Sequence, residues 1–291
     1  MVPSIGFNGF GEAGSTIANG LRSAGADRLL AFDINRDSPR LGPRMRQRAT
    51  ESQTRLVSSS EELARSSDVL FSTVTSSAAL EASQQTSPFL SARHFYADLN
   101  SVSPALKQQI AAVIDGAGAR FVEVAVMAPV APYGHRVPML LGGRSAGAFA
   151  DVMAPLGMRL EILKEADIGA AAAVKMCRSI VVKGLEALMC ECVLGASRYG
   201  ADEHVFRSLH ESYPGLDWKK LADYMVNRVV VHGERRAREM EEVSETLRSI
   251  GVEPNMAEAA ARRQDWSARL DLAARFGPEG PKSYRDVLEL L

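Results

Sequence analysis

Two hydrophobic periods divide the chain. Over the first 165 residues, short apolar runs at 5–7, 29–32, 56–57, 68–75, 94–99, 121–126, 137–141 and 158–163 read as strands, most of them separated by helical spacing. The helix at 59–65 is capped, and the helix at 104–117 has Ser101 or Ser103 as its cap and Pro104 in its first turn. This alternation predicts a parallel, doubly wound α/β sheet, with ligands bound beyond the carboxyl ends of its strands. From about residue 169 the pattern changes. Residues 169–198 read as one long helix, too apolar for a surface position, and further helices follow at about 202–211, 217–247, 255–274 and 282–291. Only the β-branched run at 229–231 is ambiguous. The expected boundary lies near 164–168, dividing an α/β domain (1–165) from an all-α domain (166–291) through the long helix.

Residues 4–35, SIGFNGFGEAGSTIANGLRSAGADRLLAFDIN, have the order strand, glycine turn, helix, strand, acid. Gly9, Gly11 and Gly14 have the G-x-G-x-x-G spacing. The first glycine allows the tight turn, the second lets a pyrophosphate approach the backbone, and the third lets the helix pack close to the strand. The helix then points unpaired N–H groups at the phosphates. Asp33 follows at about the 20-residue distance at which a carboxylate accepts the ribose hydroxyls of an adenosine. The crevice is expected to hold a dinucleotide against Gly9, Phe10, Gly11, Glu12 and Ala13, Asp33 and Asn35, and Val74 and Thr75, with Asn100 and Ser101 beside them. Phe10 and Glu12 are expected to face its pyrophosphate side. Arg36 is placed to pair with a 2′-phosphate, whereas Asp33 would repel one, so the expected cofactor is NAD or NADP with NAD favoured.

On the long helix Lys175, Arg178, Ser179 and Lys183 recur at i, i+3, i+4 and i+8. A lysine in a dry cleft can hydrogen-bond a substrate oxygen and pass a proton, because burial and a nearby cation lower its pKa. A charged helix face in water has the same spacing, and periodicity alone favours that simpler reading.

The 291 residues are 46% apolar and 24% charged with a formal net charge of −1, which gives no bulk electrostatic case for nucleic acid or an anionic membrane. No apolar run has the length of a membrane span, and no signal peptide is evident. The three cysteines, Cys177, Cys190 and Cys192, all fall in the long helix, which argues for buried thiols and a cytoplasmic location. The five histidines show no metal-ligand spacing.

Four segments together resemble the β-hydroxyacid dehydrogenase family, whose relatives include 6-phosphogluconate dehydrogenases. They are GFGEAGSTIANGL at 9–21, DLNSVSP at 98–104, FVEVAVMAP at 121–129 and GAAAAVK at 169–175. The second resembles the family's D-x-S-T-x-x-P substrate loop, and the fourth its G-x-G-x-x-x-K motif. The resemblance implies an N-terminal Rossmann domain, a helical C-terminal domain and a homodimer or tetramer sharing the helical region. It also implies that Lys175 is the general acid/base of a dehydrogenase or reductase acting on a small-molecule hydroxy acid. Asn100, Ser101, Met127, Arg178 and Ser179 become the candidate substrate contacts. Arg178 has a structural alternative, an ion pair with an acid such as Glu239.

The departures identify a divergent branch. Asn100-Ser101 replaces Ser-Thr, Met127-Ala128-Pro129 replaces Ser-Gly-Gly, Ser179 replaces Asn, and the family's Lys-Asp pair falls on Arg238-Glu239. The Met-Ala-Pro substitution suggests a more apolar or bulkier substrate, with Tyr133, His135, Tyr224 and His232 as further candidates for its pocket. Imine reductases use a similar fold, but Lys175 counts against that reading. A dinucleotide-binding sensor without turnover fits the altered loop and has no use for the lysine.

Overall fold

The structure is a computed structural model that describes residues 2–164 and 166–291. Its elements run β1 (Ile5–Asn8), α1 (Glu12–Ser23), β2 (Leu29–Phe32), α2 (Gly42–Glu51), β3 (Arg55–Leu56), α3 (Ser60–Ser66), β4 (Val69–Ser72), α4 (Ala79–Thr86), β5 (Phe95–Asp98), α5 (Pro104–Gly116), β6 (Arg120–Val126), β7 (Met139–Gly142), α6 (Ala146–Met153) and β8 (Leu160–Ile162). Among the described residues six helices follow: α7 (Ala170–Ser197), α8 (Asp202–Ser212), α9 (Trp218–Ser249), α10 (Asn255–Arg269), α11 (Leu272–Phe276) and α12 (Tyr284–Leu288). The chain is thus an α/β Rossmann sheet followed by an all-α part. Contacts divide it into two compact units, Met1–Lys175 and Met176–Leu291. The boundary expected between 165 and 166 falls on Glu165, outside the described residues.

The eight strands among the described residues lie in the order β3-β2-β1-β4-β5-β6-β7-β8. The first six are parallel, and the order reverses direction between β1 and β4, the position at which doubly wound sheets bind ligands. The expectation of a wholly parallel sheet is corrected at the edge. β7 pairs antiparallel with β6, and β8 runs parallel to β7. A buried apolar strand reads the same in either direction, so periodicity carries no sign of the reversal.

Alternate residues of each strand feed two cores. Val69 and Phe71 join Ile17 and Leu21 of α1 and Phe149 of α6 on one face, while Leu70 and Tyr96 join Leu63 of α3 and Ile110 and Ile114 of α5 on the other. Ser59 caps α3 by accepting the Glu62 N–H at 3.1 Å, and Ser103 caps α5 by accepting the Leu106 N–H at 3.3 Å. In the second unit, residues 229–231 lie within α9, where Val229 and Val230 pack in an apolar core with Met189, Val193 and Phe206. Their β propensity yields to the helical spacing of the surrounding apolar positions. Among the described residues no helix is long and apolar enough to cross a membrane.

Candidate active site

The glycine turn is held by its contact with the chain leaving β4. Gly9 has φ +88°, and a Cβ there would lie 2.7 Å from Val74 and 2.8 Å from the Thr73 carbonyl oxygen. A Cβ at Gly14 would lie 2.7 Å from Thr73 Oγ1, and that hydroxyl donates to the Gly9 carbonyl at 2.7 Å. Only glycine fits either position. Gly11 is different: a Cβ there meets nothing within 4 Å. It borders open space at the N-terminus of α1, whose first turn has no side-chain cap and carries the exposed Glu12 and Ala13. A bare helix N-terminus beside an open glycine fits a pyrophosphate.

Phe10 departs from its expected orientation. Its ring is fully buried, edge-on to Phe7 at 5.8 Å, and so faces the core rather than the crevice. Its backbone N–H donates to Asp33 Oδ2 at 2.8 Å, and the Asn35 N–H donates to Oδ1 at 2.9 Å. Asp33 therefore ties the end of β2 to the glycine turn. Each carboxylate oxygen keeps a further lone pair for a ribose hydroxyl. Arg36 is engaged elsewhere, donating to the Val57 carbonyl at 2.7 Å and to Asp37 at 3.0 Å. Val74 is half-buried against Gly9, and Thr75 is exposed.

Beyond β5 the chain is fixed by a buried polar cluster. Lys107 Nζ donates at 2.7 Å both to Asp98 Oδ2 and to the Asp98 backbone carbonyl, with both side chains almost completely excluded from water. Asp98 Oδ1 and Ser72 Oγ both accept from Asn100 Nδ2, the latter at 2.8 Å. Asn100 is thus held at the carboxyl end of the sheet, while Ser101 beside it is exposed.

The start of α7 meets this loop. Gly169 has φ +104°, and a Cβ on it would lie 3.0 Å from Pro104 Cβ and 3.1 Å from the Pro104 carbonyl oxygen. Gln108 Nε2 donates to the Ile168 carbonyl at 3.0 Å. Glu123, from the middle of β6, accepts the Gly169 and Ala172 N–H groups at 2.8 and 2.7 Å. Ala171 packs with Ala125 and Leu140, and Met127 lies against the same group. Residues of the second, third and fourth motif segments therefore converge on the first turn of α7, and half-buried Lys175 follows one turn on.

Comparison with known proteins agrees with this geometry. The NAD binding domain of 6-phosphogluconate dehydrogenase matches residues 4–153, and a domain of unknown function, DUF1932, matches residues 196–267. A conserved hypothetical protein from Sinorhizobium meliloti is 37% identical, with a TM-score of 0.83 over 99% of this chain and 96% of its own. The chain belongs to the β-hydroxyacid dehydrogenase-like family. A second solved relative, a conserved protein of unknown function described as structurally similar to 3-hydroxyacid dehydrogenases, is 30% identical with a TM-score of 0.76, covering 92% of this chain and 98% of its own. The mitochondrial 3-hydroxyisobutyrate dehydrogenase of Drosophila melanogaster is 27% identical over 221 residues, or 74% of this chain and 65% of the relative. The chain thus carries the nicotinamide-cofactor domain of a dehydrogenase family.

Several family positions on α7 and α9 differ from the sequence reading. At about 100° per residue, the four polar positions span roughly 140° of α7, a wide enough arc for their surroundings to differ. Arg178 is exposed, Ser179 is half-buried, and Lys183 is buried with its ammonium 2.7 Å from Glu239 Oε2. Burial lowers the Lys183 pKa, and Glu239 offsets part of that effect. Glu239 also accepts from Arg235, so its pairs are Lys183 and Arg235 rather than Arg178. Arg238, the neighbouring position on α9, is exposed and pairs with Glu241 at 2.9 Å.

The remaining polar candidates also shift. His135 is buried against α1, where a Cβ on Gly20 would lie 2.3 Å from its Nδ1; it is a packing residue. Tyr133 and Tyr224 are exposed. Burial and the charges of Arg228, Arg235 and Arg236 lower the pKa of His232 to about 4. Cys190 is buried as expected, but Cys177 is exposed. α7 is also less enclosed than its composition suggests, since Val174, Val181, Leu185 and Leu188 form an exposed row.

Thr73, Asp98, Lys107 and Glu123 were not singled out by sequence reasoning. Three of them carry a signal in hindsight: Asp98 and Glu123 are charges inside apolar strands, and Lys107 lies on the inner face of α5 with Ile110 and Ile114. Thr73 has no such signal.

Proposed function

We propose that the protein is an NAD(P)-dependent oxidoreductase that acts on the carbinol or carbonyl carbon of a hydroxy-acid-like small molecule, with Lys175 as general acid/base. The observation that carries this reading is the convergence of Pro104, Glu123 and Gly169 at the start of α7, one turn before Lys175. A bound nicotinamide accepts or supplies the hydride. In the oxidative direction the neutral Lys175 amine takes the hydroxyl proton as the carbonyl forms, and in the reductive direction its ammonium returns that proton to the carbonyl oxygen. Asn100 and Ser101 orient the substrate or the nicotinamide ribose. Ser179 and Arg178 bind its polar end, for which a guanidinium fork suits a carboxylate or phosphate. Met127 gives the pocket an apolar wall. The exposed row on α7 supports assembly as a homodimer or tetramer through the helical region.

Turnover is tested with NAD or NADP and a panel of aliphatic and aromatic 3-hydroxy acids, hydroxy amino acids and sugar acids, followed by absorbance of the reduced cofactor. At least one substrate is expected to turn over; cofactor binding with no turnover across the panel counts against the reading.

The favoured cofactor in this reading is NAD. Asp33→Ala removes both the ribose acceptor and the staple on Phe10, so NAD affinity is expected to fall about tenfold and NADP affinity much less. Calorimetric titration of both cofactors distinguishes the roles. Equal weakening would reduce Asp33 to a structural tie.

A further inference from the structure

We propose that Glu123 is the positioning residue for Lys175, fixing the first turn of α7 against β6 so that the lysine is presented in one orientation. The inference rests on the general acid/base reading of Lys175 and adds to it a group that fixes the helical turn from which the lysine projects.

The first N–H groups of a helix have no partner within it, and a cap residue ordinarily supplies one. Gly169 occupies the cap position of α7, as shown by its carbonyl accepting the first ladder bond from Ala173 at 2.9 Å. A glycine has no side chain with which to cap. Glu123 does this from a neighbouring strand: Oε2 accepts the N–H of Gly169 and Oε1 that of Ala172, three residues on. These are the two N–H groups that a local capping box satisfies with two side chains. Here one fully buried carboxylate satisfies both.

Space for that carboxylate is provided across the β6–β7 pair. Glu123 is in register with Gly142, and a Cβ on Gly142 would lie 2.6 Å from Glu123 Oε2. Gly142 has no positive φ, so its missing side chain is explained by the carboxylate rather than by backbone conformation. A charge inside an otherwise apolar strand, its clearance and the side-chainless cap at Gly169 therefore form one device.

Helical side chains lean toward the N-terminus, and for Lys175 that is the direction of the capped turn. The carboxylate acts on it in two ways. It fixes the turn from which Lys175 projects, and it neutralises the positive end of the helix, which would otherwise oppose an ammonium there.

The test uses the protein with bound cofactor. Lysines are reductively methylated with a carbon-13 label and titrated by NMR; with seven lysines in the chain, Lys175→Arg assigns the resonance. Amide hydrogen exchange is followed over residues 169–175. Glu123→Gln keeps the shape but offers one acceptor oxygen instead of two and places an NH2 against the other N–H. The Lys175 midpoint is expected to fall by about half to one pH unit, and exchange over 169–175 to quicken about tenfold. Cofactor affinity should change by no more than about twofold, since the glycine turn does not touch Glu123.

A folded Glu123→Gln protein with the wild-type Lys175 midpoint and wild-type exchange overturns the proposal. If that variant fails to fold, Gly142→Ala decides the matter, because its Cβ displaces the carboxylate without removing the charge. Faster exchange and slower turnover are then expected, and no change in either overturns the proposal. Full turnover in Lys175→Ala would instead reject the catalytic reading of the lysine, while the exchange result would still report on the clamp.

Discussion

Lys175→Ala is expected to lower kcat by about 100- to 10,000-fold, the contribution of a positioned general acid or base. Binding of the cofactor should change little, since Gly9, Gly14 and Asp33 are fixed by Thr73, Val74 and the Phe10 N–H rather than by α7. Lys175→Arg keeps the positive charge, but a guanidinium does not deprotonate in this pH range. It should therefore be nearly as inactive as alanine if the lysine moves a proton, and substantially active if only its charge matters. Steady-state kinetics and titration of the cofactor separate these outcomes. Unchanged kcat in both variants would remove Lys175 from the mechanism.

Lys107→Met is expected to cost about 3–5 kcal/mol of stability, because it leaves the Asp98 carboxylate buried without its counter-charge. The bond from Asn100 to Asp98 would be loosened with it. Asp98→Asn with Lys107→Met should recover most of the loss, since the pair rather than either charge is what the site tolerates. Calorimetric unfolding is the suitable probe: both tryptophans, Trp218 and Trp266, lie in the second unit, so their fluorescence follows the wrong part of the chain. A loss below about 1 kcal/mol would show that solvent reaches Asp98 in the folded protein.

Much of the first unit's fold was legible because its signals stand at element boundaries. Gly9, Gly14, the Ser59 and Ser103 caps and the Asp33 position are all set within a few residues of an element boundary. What was not legible depends on contacts between distant segments. Phe10 follows a left-handed glycine that turns its ring toward Phe7, and nothing in the pattern of the turn specifies that direction. Lys183 differs from Arg178 only by its angle around α7, and its partner Glu239 is 56 residues away in sequence. Glu123 stands among valines, where period-two spacing registers an exception but cannot name the helix N-terminus that it reaches. The reversal at β7 is hidden for the same reason: pairing direction belongs to the sheet, whereas apolarity belongs to the strand.

The most direct test of the account is transfer of label from the cofactor. The protein is given reduced nicotinamide cofactor carrying deuterium at both C4 positions and the carbonyl form of whichever panel substrate turns over, and the product is analysed by mass spectrometry and NMR. One deuterium on the carbinol carbon, formed slowly or not at all by Lys175→Ala, is the expected result. Product without deuterium at that carbon, or tight cofactor binding with no product from any member of the panel, would contradict it.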